Sequence, residues 1–248
     1  MASTFETGHA KNVANFDELI SFVTGYGVIY NPSNPSIKLK ALETVASHAK
    51  DAVNLVNGAL PAYKNAVSQR IEAFAPLSKL ITRVLNSVIA TDTSPQVIEN
   101  VKSFTRKIQG RRAVAKKTEE KLLSLASKGI ETKNISASQM SYDNRIDSFD
   151  KLIKFLISIP QYKPNEEDLK ITSLTALLNN LQLKNTAVLS ANTPLSNARI
   201  TRNEILYQEK TGLVNIANET KAYVKSLFGV KSPQYSQISK LQFRIYKM

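Results

Sequence analysis

The sequence predicts an all-α protein: an elongated helical bundle built from two tandem copies of a helical-hairpin module, a pseudo-twofold four-helix bundle with peripheral helices. Three observations predict it. Gly and Pro are scarce, 8 and 9 in 248 residues, whereas an all-β chain needs frequent turn residues. Apolar residues recur at helical spacing over long windows. Four sequence blocks occur twice, in the same order.

The repeated blocks set the frame. Asn15-Phe16-Asp17-Glu18-Leu19-Ile20-Ser21-Phe22 reads against Ser148-Phe149-Asp150-Lys151-Leu152-Ile153-Lys154-Phe155, 133 positions later. Tyr30, Pro32, Ile37, Lys38, Leu39 and Leu42 fall on Tyr162, Pro164, Leu169, Lys170, Ile171 and Leu174, 132 positions later. Ala59-Leu60-Pro61 matches Ala191-Asn192-Thr193-Pro194 with a small slip. Ser94-Pro95-Gln96, Lys102 and Arg106 fall on Ser232-Pro233-Gln234, Lys240 and Arg244, 138 positions later. The expected organisation is a polar leader at 1–14, copy 1 at 15–108, a basic connector and polar loop at 109–147, and copy 2 at 148–248, all within one compact domain.

Each copy reads alike. The first predicted helix is short, Phe16 to Thr24, with Asn15 as its N-cap and Glu18 at capping-box spacing. Gly25-Tyr26-Gly27 reads as the bend that follows. A second helix starts near Pro35 and stops near Asn57-Gly58, where Gly is a natural C-terminal stop. Its apolar stripe is Leu42, Val45, Ala49, Ala52 and Val56. In the second copy Asn165 caps, Glu166, Glu167 and Asp168 occupy the positive first turn, and Leu174, Leu178, Leu181 and Val188 form the stripe.

The third helix runs from about Ala62 to Ala90, roughly 40 Å at 1.5 Å per residue. Tyr63, Val67, Phe74, Leu77, Ile81, Val84 and Val88 keep a heptad rhythm, with Arg70 in the polar slot. Pro76 should kink or break it, and Gly212 stands near the corresponding place of the second copy. Phe74 and Ile81 are expected to face the second-helix stripe. The fourth helix opens with Ser94 and Pro95 and is expected as one long or once-broken helix to residue 128, with Gly110 as the interruption in propensity. Short loops at 57–61 and 191–194 would make each copy a hairpin, and two hairpins would bury their apolar sides against each other.

Composition excludes several chemistries. The chain has no Cys, which removes disulfides, thiolate catalysis and Cys-ligated metal sites. Its two His, His9 and His48, have no partner at metal-ligand spacing and read as ordinary exposed or half-buried imidazoles. Asp17 and Asp150 occupy equivalent places, explained by cap and dipole roles. The scattered tyrosines, Tyr30, Tyr162, Tyr207, Tyr223, Tyr235 and Tyr246, are expected mostly at bundle edges with wet hydroxyls. No nucleophile, acid–base pair or metal set falls on one helix face. The expectation is no enzyme, no cofactor and no small-molecule ligand. The N-terminal segment lacks a basic region followed by an apolar run, and no apolar stretch is long enough to span a bilayer, so the expected location is cytoplasmic.

Net charge is +13. It divides as +3 over 1–108 (11 basic, 8 acidic), +3 over 109–147 (8 and 5) and +7 over 148–248 (14 and 7). Lys102, Arg106, Lys107, Arg111, Arg112, Lys116 and Lys117 run without an intervening acid and are the candidate polyanion-binding set. The same spacing serves an ordinary solvated helix face, and no aromatic residue is interleaved for base stacking. The leading expectation is a non-enzymatic interaction or scaffold protein that self-associates through helical surfaces. The alternatives are a protein binding nucleic-acid phosphates through residues 95–128, and a membrane-acting helical bundle.

Overall fold

The computed structural model of the chain describes residues 4–110 and 141–246, with side chains from residue 8 onward. Every regular element among the described residues is helical. The α-helices are α1 (Thr4–Gly25), α2 (Leu39–Phe74), α3 (Leu77–Ile89), α4 (Pro95–Gln109), α5 (Tyr142–Ile157), α6 (Ile171–Tyr207), α7 (Leu213–Phe228) and α8 (Pro233–Ser239). Short 3-10 turns at Gly27–Ile29, Pro35–Ile37 and Glu167–Leu169 complete the set. The all-α bundle read from the sequence is the fold observed.

The expected stripes are the cores. Leu42, Ala49, Ala52 and Val56 are buried on α2, and Leu174, Leu178, Leu181 and Val188 on α6. Phe74, Leu77, Ile81, Val84 and Val88 are buried as the heptad rhythm required, while Tyr63 and Val67 are only half-buried. The repeated positions also share a bond. Tyr30 donates its hydroxyl to the Ile37 carbonyl at 2.6 Å, and Tyr162 does the same to Leu169 at 2.8 Å. Both tyrosines are buried, so the wet hydroxyls expected there are instead satisfied by backbone seven residues on.

Helix breaks fall where two of the weak points lie. Phe74 ends α2 and Pro76 caps α3; Tyr207 ends α6 and Gly212 caps α7. Gly212 is required there, since a Cβ would come within 2.6 Å of the Gln208 backbone. Gly110 adopts a left-handed conformation, φ 68°, and closes α4. Of the two forms expected, the unbroken helix is excluded at Gly110, because an αL residue redirects the chain out of the helix. The rest of that predicted helix, from residue 111, lies outside the described residues.

The hairpin turns are absent. Helix α2 runs 36 residues through Asn57, Gly58 and Pro61, and α6 runs 37 residues through Pro194. An interior Gly costs about 1 kcal/mol and an interior Pro about 3 kcal/mol, which a helix anchored by buried side chains near both ends withstands: α2 has Leu42 in one core and Phe74 in the other. Helix α1 also starts before Phe16, within the expected leader. Asn15 is thus an interior residue rather than an N-cap. Asp17 and Asp150 are likewise removed from their first turns and pair with Lys50 at 2.8 Å and Lys154 at 2.7 Å.

The chain divides into two compact units, Met1–Lys64 with Ala191–Met248, and Asn65–Ser190. In the first, α1 and the start of α2 bury Phe16, Leu19, Val23 and Leu42 with Leu206 of α6, Leu213 and Val224 of α7 and Ile238 of α8. In the second, Phe74, Ile81 and Val88 pack with Val101 and Ile108 of α4, Phe149 and Leu152 of α5, and Leu174 and Leu181 of α6. Phe74 and Ile81 therefore lie in the core of α4, α5 and α6, not against Leu42 and Ala49 as expected. Arg70, the polar slot, donates to Asn185 at 3.0 Å, and Asn185 donates to Asp143 at 2.8 Å; the Arg70 guanidinium lies 4.0 Å from the Tyr142 ring centre. That stacking and pairing accommodates one cation at the edge of an apolar stripe.

Candidate interaction surfaces

Three surfaces of distinct chemistry stand out among the described residues. The first is the basic run on α4. Val101, Thr105 and Ile108 point into the core, which leaves Lys102, Arg106 and Lys107 on the outward side. Glu99 answers two of them, accepting from Arg106 at 3.1 Å and lying 3.6 Å from Lys102. The hydrogen bond from Arg106 leads the causes that hold the Glu99 carboxyl below the usual range. Lys107 is exposed, with its ammonium 5.9 Å from the Phe104 ring centre. It shares a shallow hollow of about 150 Å³ with Asn144, Asp147 and Lys151, the last two ion-paired at 2.6 Å. Arg145 donates to the Ile108 carbonyl at 3.2 Å, taking up one acceptor that α4 leaves open at its end. Arg111, Arg112, Lys116 and Lys117 lie outside the described residues.

The second surface is a polar cradle on α1. His9, Asn12 and Asn15 are all buried, a correction to the exposed or half-buried imidazole expected at position 9. They hold the extended segment after α8. Asn12 donates to the Arg244 carbonyl at 2.7 Å and accepts from the Arg244 N–H at 3.1 Å, the two-bond pattern an adjacent β-strand would supply. Asn15 donates to the Gln242 carbonyl at 2.7 Å. His9 Nδ1 and the Tyr207 hydroxyl stand 2.6 Å apart, and the His9 ring meets Tyr246 edge-on with centres 5.5 Å apart. A Cβ at Gly8 would overlap the Tyr246 ring. Burial pushes the Tyr207 phenol up to about 12. Beside this contact a cavity of about 340 Å³ is lined by Lys11, Glu18, Lys240, Arg244 and Tyr246, among others. Apolar periodicity could not have found this cradle, because its working residues are amides and an imidazole.

The third surface is apolar. Gly25 ends α1 and Gly27, at φ 58°, turns the chain, the bend expected there. Tyr26 packs edge-on against Phe228, ring centres 5.2 Å apart, and donates its hydroxyl to the Gln234 carbonyl at 3.0 Å. The residues flanking this pair are left outward: Val28 is 96% exposed, Val230 62% and Ile29 58%, with Leu227 also exposed. No group of three potential metal-ligating side chains and no helix long and apolar enough to cross a membrane occurs among the described residues. Comparison with protein-family models, with curated protein sequences and with solved structures gives no match to this chain.

Proposed function

We propose that the chain is a non-enzymatic interaction protein that self-associates through helix surfaces. One observation carries the reading. Residues 52–63 of α2 contain no charged side chain, and neither do residues 191–198 of α6, although six of the twelve and five of the eight are exposed and 21% of the chain is charged. Leu55, 59% exposed, stands on the first of them. Solvated helix faces ordinarily carry charge, whereas the cores of protein interfaces are depleted of it. Both stretches belong to the same compact unit.

Sedimentation tests the proposal. The expected result is a dimer or larger species at or below ~100 μM, the range in which homomeric affinities are useful. Leu55→Glu, at an exposed helical site, should leave the melting temperature near that of the parent and shift the population to monomer. A parent that stays monomeric at that concentration, or a variant that assembles equally well, overturns the proposal. The phosphate-binding alternative for Lys102 to Lys117 has weaker support, since Glu99 already offsets two of its three described cations.

A further inference from the structure

The exposed apolar residues around Tyr26 and Phe228 differ from singly scattered surface apolars, which need no explanation. They come from two distant parts of the sequence and are drawn together by packing. Tyr26 brings Val28 and Ile29; Phe228 brings Leu227 and Val230. The charge around them is one-sided. Residues 19–42 hold no acid, and residues 220–248 hold no acid and six cations. Lys225 and Lys231 are exposed and lie closest in sequence to the apolar group; the Lys225 ammonium is 5.9 Å from the Tyr235 ring centre. The nearest acid in sequence, Glu219, accepts from Asn34 at 3.2 Å.

We infer that this tip docks peripherally on an anionic lipid surface. Val28, Ile29, Leu227 and Val230 enter the headgroup–acyl boundary, and Lys225 and Lys231 meet the lipid phosphates. Lipid suits both halves of the surface: apolar side chains gain from leaving water, and exposed lysines near an anionic leaflet gain from its surface potential. A nucleic acid would answer the lysines but leave four apolar side chains wet. This surface is separate from the charge-free stretches of α2 and α6, so its test does not depend on self-association.

The experiment is flotation with vesicles of phosphatidylcholine alone and of phosphatidylcholine containing about one third phosphatidylglycerol. The parent should float only with the anionic vesicles, and less as salt is raised. Val28→Asp with Val230→Asp should abolish flotation without changing the melting temperature, since both side chains are exposed. Lys225→Gln with Lys231→Gln should weaken vesicle affinity by on the order of tenfold or more. Failure of the parent to float, equal flotation by the Asp variant, or equal affinity in the Gln variant each overturns the inference. Binding to a short DNA duplex that is lost in the Gln variant, in a parent that does not float, would reassign the lysines to nucleic-acid phosphate.

Discussion

Tyr30 and Tyr162 close their loops with one buried hydrogen bond each, and both phenols are pushed up to about 12, chiefly by burial. Tyr207 behaves likewise. A phenol that ionises near 12 when folded and near 10 when unfolded contributes stability that is complete below pH 10. That stability is lost as pH rises from 10 towards 12, because the unfolded chain gives up its protons first. The melting temperature should therefore fall over that window, with tyrosinate absorbance from these three residues appearing together with unfolding. Ionisation of all nine tyrosines near 10 in a chain that remains folded would contradict the burial argument. Tyr30→Phe and Tyr162→Phe should each cost about 1 kcal/mol at neutral pH, as a carbonyl loses its donor, and each should flatten the alkaline decline. The sequence placed these tyrosines in register with each other but not in the interior. Composition ranks Tyr as a boundary residue, and nothing local announces a hydroxyl aimed seven residues along the chain. His9, Asn12 and Asn15 were illegible for a related reason: Asn12 and Asn15 bond backbone atoms of residues 242–244, more than 200 positions away, and His9 meets the Tyr207 hydroxyl, 198 positions away.

At the scale of elements, the stripes were legible and the turns were only partly so. Pro76 and Gly212 mark real breaks, whereas Gly58, Pro61 and Pro194 lie inside helices. A breaker residue is a local cost, and whether the helix yields depends on packing further along it, which propensity does not contain. Gly58 measures that cost directly. It is exposed and a Cβ there would meet nothing within 4 Å, so Gly58→Ala should stabilise by about 1 kcal/mol. Had the expected turn existed at 57–61, the same substitution would destabilise. Chemical denaturation separates the two outcomes. Ile81→Asp tests the other half of the element picture. Ile81 is fully buried among α4, α5 and α6 residues, and an unpaired carboxylate there should cost several kcal/mol. An unchanged melting temperature would mean that α3 does not form part of this core.

At the scale of the whole molecule, the sequence repeat and the compact units divide the chain differently. The repeated blocks run one after the other, in 15–108 and 148–248. Each core, however, takes helices from both stretches: Phe16 and Leu42 pack with Leu213 and Ile238, and Ile81 and Val101 pack with Phe149 and Leu174. The uninterrupted helical passages of α2 through residues 57–61 and of α6 through 191–194 produce this exchange. A turn at those places would return each chain segment to its own copy, whereas continuation carries α2 from Leu42 in one core to Phe74 in the other. Residues 1–110 alone would leave Leu42 and Ile81 without the α5, α6 and α7 side chains that bury them, and residues 141–248 alone would strand Leu174 and Leu213 likewise. Exposed stripes of that kind do not hold a cooperative fold, since most helical stability in proteins comes from packing of the apolar face. Each fragment, expressed separately, should show weak helicity or aggregation and no sharp melting transition. The two fragments co-expressed should copurify and melt as one species, because both cores become complete only when the halves are together. A single fragment that melts cooperatively as a monomer would show that each copy can bury its own stripes, as the hairpin reading of residues 57–61 and 191–194 requires.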